Sequence, residues 1–358
     1  MNEKIKNIEF LRIIGCFAII LFHFFEIVRY KFPVYMNMDY STLDAGKAVD
    51  LFFIISGVFF ALTLDTTKTL WQFLKKKLIR LFPVIIVTLA VSFCVGSLFK
   101  LYDVDIFETI LILLGFNGTA LVNNLGSFET GGRSFWYVSA MLWTFLLYFY
   151  LLKNYERKNV NLIIGVMVYC AFAILVSANW TFIESRVFVF NMGMCRAIGG
   201  IGLGYFIGQW YNSFKDKTEK GVLPLYVRTF LTILEFLCVY FIIYYLFFKK
   251  INFENPFIFV VIFALTVVLF LYNQGYVSKL LNQNIFAYLS KYTYSIYIVH
   301  CYIIYVLQKF FFATHKNFVE IHPFVNLAIA LYLVIFFGVL MYHLVEKPAS
   351  KYLKKFVD

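Results

Sequence analysis

Charge is scarce in this chain: Asp, Glu, Lys and Arg make up 15% of its 358 residues, whereas 62% are hydrophobic. Uninterrupted apolar runs recur from end to end, and no soluble domain of this size tolerates them on its surface, so a soluble globular protein is excluded. Cysteine is also sparse. Cys16, Cys94, Cys170, Cys195, Cys238 and Cys301 all fall inside apolar runs, and none is paired at ligand spacing. They read as small core residues, which sets aside a disulfide framework and a metal centre. A leader cleavage site is missing too. Lys4 and Lys6 precede the first apolar run, but that run is too long, lacks a small-residue cleavage site and contains Arg12 and His23. It reads as a retained first helix. No convincing internal repeat is found.

What the chain has in excess is aromatic residues, 21% of the total with 45 Phe and 26 Tyr. Belts at the two membrane interfaces need fewer, so many of these rings pack between helices or line a cavity. The expected fold is all-α, a polytopic bundle of about ten membrane helices in one domain spanning 1–358. Apolar length places the helices at about 8–28, 48–64, 81–100, 135–152, 160–178, 188–210, 227–248, 256–274, 293–312 and 323–344. The segment 106–116 is short and runs into a Gly- and Asn-rich stretch, 117–132, so it is expected as a re-entrant or interfacial piece.

The positive-inside rule orients this arrangement. With both termini cytoplasmic, the inside segments carry Lys68, Lys75, Lys76, Lys77 and Arg80 in the stretch 65–80; Lys153, Arg157 and Lys158; Lys215, Lys217 and Lys220; Lys279 and Lys291; and Lys347, Lys351, Lys354 and Lys355. Outer segments hold most loop acids, including Asp39, Asp44, Asp103, Asp105, Glu129 and Glu254. The net charge of +12 is thereby accounted for by topology, and no nucleic-acid partner is needed.

Arg12 and His23 break the first apolar run, and an ionisable residue at membrane depth costs on the order of 2.5–3.5 kcal/mol on insertion scales. Eleven residues is close to three helical turns, so both side chains share one face, roughly 16 Å apart along the axis. In the orientation above, Arg12 lies near the cytoplasmic end and His23 in the outer third. Asp50 starts the next helix at the height of His23 and is the first choice of acid to hold the imidazole; Glu26, about a turn beyond His23, is the second. Asp50 equally suits an N-terminal cap. Arg12 also suits a snorkelling residue, and the Lys75–Arg80 cluster a bare topology signal. His300, Arg196 and Glu346 read as bundle-facing polar residues, and Gly200, Gly204 and Gly208 as a small-residue packing face.

The ordered motifs resemble the membrane acyltransferase-3 family. They are Arg12 and His23 at R-x10-H spacing, DLFFIISG at 50–57, FLKKKLIRLFP at 73–83, FWYVS at 135–139, YSIYIVH at 294–300 and EKP at 346–348. The resemblance runs over essentially the whole chain. It implies a bacterial inner-membrane enzyme that moves an acyl group, usually acetyl, from cytoplasmic acyl-CoA to a hydroxyl of a surface carbohydrate. It also implies that His23 is the essential histidine and that Arg12 belongs to the acyl-CoA side. Where many members read R-x-x-R, Lys77 and Arg80 stand here, and Lys keeps the charge without the planar fork. Some relatives add a C-terminal extracytoplasmic hydrolase-like domain; none is expected here, so the chain would act alone or with separate glycan-assembly proteins.

On this reading Lys75, Lys76, Lys77 and Arg80 meet the phosphates of acetyl-CoA, Arg12 stabilises a phosphate or the developing charge, and the thioester reaches inward to His23. His23 is the general base on the acceptor hydroxyl, with Asp50 orienting it. Direct transfer is expected, since no Ser or Cys sits in a nucleophile motif, and no metal is called for. The rival expectation is a transporter of a lipid or glycan precursor that uses the same buried ionisable residues as its path.

Overall fold

A bilayer offers peptide groups no water, so a chain of apolar runs satisfies its backbone by winding into helices. The computed structural model of the chain describes residues 5–28, 31–36, 45–65, 67–99, 106–116, 132–178, 186–187, 190–218, 223–247, 257–353 and 355. Within them α1 (Lys6–Val28), the short α2 (Pro33–Met36), α3 (Ala48–Thr63), α4 (Leu70–Phe99) and α5 (Ile106–Leu113) come first. α6 (Trp136–Asn154) and α7 (Arg157–Ser177) follow, then a two-residue antiparallel ladder between Arg186–Val187 and Phe190–Asn191. Next are α8 (Met192–Thr218), α9 (Leu225–Phe247) and α10 (Phe257–Tyr272). Short α11 (Tyr276–Leu280) and α12 (Asn284–Leu289) lead into α13 (Thr293–Leu307); α14 (Lys316–Ile321), α15 (Pro323–Met341) and α16 (Lys347–Leu353) complete the set.

Among the described residues, 8 helices are long and apolar enough to cross a membrane. Each of the ten segments expected from the sequence falls on a helix; the two outside that group of eight are α8, and α10 with only 16 residues. α5 has 8 residues, roughly 12 Å of helix against a hydrocarbon core of about 30 Å. Most of the outer segments 29–47 and 117–134, with Asp39, Asp44, Asp103, Asp105, Glu129 and Glu254, lies outside the described residues.

One expectation needs correction. The basic stretch 65–80 reads as a cytoplasmic loop, yet α4 begins at Leu70 and runs for 30 residues, so the cluster is helical. The cause is a capping box. Thr69 Oγ1 accepts the Gln72 N–H at 3.1 Å, and Gln72 Oε1 accepts the Thr69 N–H at 2.9 Å, satisfying two orphan donors at the start of a run of good helix formers. Just before it, Asp65 is held by Thr67 and then by Lys68, which together draw its carboxyl down to about 2.

The core lies around α1, α3, α6, α8 and α10, whose spans carry most of the largest fully buried side chains, Phe24, Phe53, Phe60, Tyr148, Tyr205 and Phe263 among them. α3 packs most extensively on α8. Glycines make that approach possible: a Cβ on Gly57 would lie 2.1 Å from the Ile201 carbonyl oxygen, and one on Gly204 2.0 Å from that of Ile54. Glu235 of α9 accepts the N–H groups of Gly275 at 3.1 Å and Ser278 at 2.9 Å and so caps α11. Asn7 of α1 donates to the Phe270 carbonyl of α10 at 2.8 Å, and this fixes the start of α1, on which the candidate site depends.

Candidate active site

α1 carries Arg12 and His23 on one unbroken helix, so about 16 Å of axial rise separates two polar clusters. The first lies at the Arg12 end. Arg12 Nη1 is 3.0 Å from Glu9 Oε2, an i,i+3 ion pair in which Glu9 is buried and Arg12 is partly exposed. Arg80 of α4 is exposed and lies within electrostatic reach of Arg12, Glu9 and Glu346. Glu346 is buried and accepts the Ser295 hydroxyl at 2.5 Å. It sits at the end of a five-residue π-helical turn, Tyr342–Glu346, a departure from α geometry that recurs at functional sites because it re-aims side chains. Tyr294 OH donates to the Leu81 carbonyl at 2.6 Å, tying α13 to α4 near Pro83.

Of the expected donor-side cations, Arg12 and Arg80 therefore share one site. Lys77 lies beside Arg80, with its ammonium 4.6 Å from the Phe145 ring centre and 5.6 Å from that of Phe73. An ammonium seated on ring faces is held without an acid partner. Lys75 is partly exposed and Lys76 exposed on the same helix.

The second cluster surrounds His23. Its Nδ1 is 2.7 Å from Glu26 Oε2, and Glu26 Oε1 accepts Arg133 Nη2 at 2.9 Å. Arg133 comes from the turn Gly132–Ser134 just before α6, and Ser134 Oγ pins that turn to α13 by donating to the Ile298 carbonyl at 2.9 Å. A carboxylate only accepts, so His23 Nδ1 carries a proton, and in the neutral ring Nε2 is the acceptor nitrogen. The His300 ring is 5.1 Å away, centre to centre. Its Nδ1 meets the Tyr297 carbonyl and its Nε2 lies 3.3 Å from Cys301 Sγ.

Asp50, expected to orient His23, is engaged elsewhere. Arg196 of α8 grips it through Nε at 2.7 Å and Nη2 at 3.0 Å, and Nη2 also donates to the Gly46 carbonyl at 3.1 Å. Asp50 does not meet the histidine, because α3 turns that face toward α8. The acid paired with His23 is Glu26, one turn along α1 itself. Between the two clusters stand Phe52, Tyr137 and Tyr297, with Tyr137 and Tyr297 ring centres 5.6 Å apart at 69° and Tyr137 OH 3.0 Å from Ser56 Oγ. Glu9, Arg133 and Ser295 were missed in the sequence; only Glu9 had a local signal, its i–3 spacing from Arg12.

A histidine held by an acid inside a bundle of membrane helices, with the paired Arg12 on the same helix and the exposed Arg80 on α4 near it, defines a multi-pass membrane protein with an internal polar site. The chain belongs to the acyltransferase-3 family: the family model, described as an acyltransferase domain, matches residues 5–343. It is a membrane acyltransferase. Neither the curated proteins nor the solved structures give a match.

Proposed function

We propose that the protein is an O-acyltransferase that moves an acyl group, acetyl in the first instance, from cytoplasmic acetyl-CoA to a hydroxyl of a cell-surface polysaccharide or its lipid-linked precursor. The observation that carries this is the relay from Arg133 through Glu26 to His23 Nδ1. It fixes the tautomer in which Nε2 is basic, which is what a general base on a hydroxyl requires.

In the reaction, His23 Nε2 takes the acceptor hydroxyl proton as that oxygen attacks the thioester carbonyl. The carbonyl carbon–sulfur bond breaks, the coenzyme leaves as thiolate, and the imidazolium returns the proton to it. Arg12, Arg80 and Lys77, with Lys75 and Lys76 on the same helix, supply cations for the phosphates of the donor. Asp50 acts through structure: its pairing with Arg196 sets α3 against α8. The ten helical segments, with both termini cytoplasmic in the cell membrane, put the arginines at the donor side and His23 toward the acceptor side.

The test is thiol release from acetyl-CoA by purified protein with a candidate glycan. His23→Ala is expected to lower acceptor-dependent release by about 10²–10⁴-fold, the usual contribution of a general base. Release that persists unchanged in that variant sinks the proposal.

A further inference from the structure

Cys301 is not used by the acyl transfer described above, yet it is fully buried beside the two histidines. One donor atom from each of His23, His300 and Cys301 lies within 4.8 Å of the other two, and among the described residues this is the one such group of three. His300 and Cys301 are neighbours in sequence, a spacing that normally diverges on a helix. Here Sγ and Nε2 converge to 3.3 Å.

The hydrogen bonds behind the histidines are those of a metal site. Glu26 takes the His23 Nδ1 proton, and the Tyr297 carbonyl takes that of His300. Both rings therefore carry their lone pair on Nε2, and the carboxylate–histidine and carbonyl–histidine pairs are the outer partners that orient metal-bound imidazoles. Two imidazoles and a thiolate suit zinc, with bonds of about 2.0–2.1 Å to nitrogen and about 2.3 Å to sulfur. Donors around a tetrahedral ion then stand roughly 3.3–3.8 Å apart, so a group already within 4.8 Å has at most about 1.5 Å to close.

We propose that His23, His300 and Cys301 bind a zinc-class divalent ion, with a water in the fourth position, and that this ion reversibly blocks acyl transfer. Binding replaces the Cys301 thiol proton, which leaves to solvent, by a sulfur–metal bond. The His23 Nε2 lone pair cannot hold a metal and accept a proton at once. The inhibition rests on the general-base reading above; the binding does not.

Cobalt(II) reports on the site directly, since a bound thiolate gives a ligand-to-metal charge-transfer absorption. The full-length protein in detergent is expected to develop that band with one equivalent of cobalt, to lose it to zinc, which binds such donors more tightly, and to lack it in Cys301→Ala and in Cys301→Ser. The serine variant keeps the size of the buried side chain should alanine fail to fold. In thiol-release assays zinc is expected to inhibit the wild type, with a chelator restoring the rate, and each cysteine variant, measured against its own metal-free rate, to need at least about tenfold more zinc. No band in the wild type, or an equal band in both variants, overturns the site. A band without inhibition supports the site and overturns His23 as the base.

Discussion

At the scale of single residues, the site turns on which acid serves which base. Glu26 accepts from both His23 and Arg133, so Glu26→Gln removes the charge and offers an amide that can leave Nδ1 in the wrong tautomer. Its turnover is expected to fall within the range of about 10²–10⁴-fold that a well-placed base supplies, with the KM for acetyl-CoA little changed; wild-type turnover in that variant rules out the orienting role. Asp50 predicts a different phenotype. Removing it leaves Arg196, with a side chain 7% exposed, as an uncompensated buried charge. Asp50→Ala should therefore cost about 3–5 kcal/mol of stability, and the double change Asp50→Leu with Arg196→Met should recover most of it. Thermal unfolding in detergent separates the two, and a double variant no more stable than the single one refutes the assignment. Arg12 and His23 were legible in the sequence because ionisable residues stand out in an apolar run. The choice of Asp50 over Glu26 failed because depth in the membrane can be read from position along a helix, whereas the direction α3 faces cannot.

Between residue and molecule, the elements carry two signals of unequal legibility. Thr69 and Gln72 spell a capping box in plain sequence, and it is what turns the basic stretch into the first turns of α4. Counting charges alone made that stretch a loop, since Lys and Arg mark topology and favour helix at the same time. Gly200, Gly204 and Gly208 were legible as a packing face, and the structure adds their partner, α3. The sequence could not supply that partner, because the complementary Gly57 is a single residue with no period of its own. A methyl on Gly204 meets the Ile54 carbonyl at 2.0 Å, backbone against backbone, whereas on Gly165 the nearest atom is 3.9 Å away. Gly204→Ala is accordingly expected to destabilise the protein by at least about 1–3 kcal/mol, the cost of overpacking, while Gly165→Ala stays near wild type or gains from helix propensity. Equal melting temperatures for the two variants would show that α3 and α8 can part without penalty.

For the whole molecule, hydropathy made the helical segments legible, since each bilayer crossing needs its own long apolar run. Their lateral arrangement was not, because aromatic residues on nearly every helix give no unique pairing. The proposed orientation has a consequence for the two polar clusters. Acetyl-CoA is a polyanion that does not cross a bilayer, so the proposed donor site at the Arg12 and Arg80 end requires that end to face the compartment that holds it. Inverted membrane vesicles, which expose the cytoplasmic face, are expected to release thiol from added acetyl-CoA at once. Right-side-out vesicles are expected to do so only after permeabilisation. Arg80→Ala, which removes an exposed cation near Arg12 and Glu346, should raise the KM for acetyl-CoA by about 10- to 100-fold, as loss of a charged hydrogen bond worth about 1.5–3 kcal/mol implies, with kcat falling less. A donor accepted only by right-side-out vesicles inverts the topology. An unchanged KM in Arg80→Ala with the correct sidedness leaves the topology standing and moves the phosphate site away from α4.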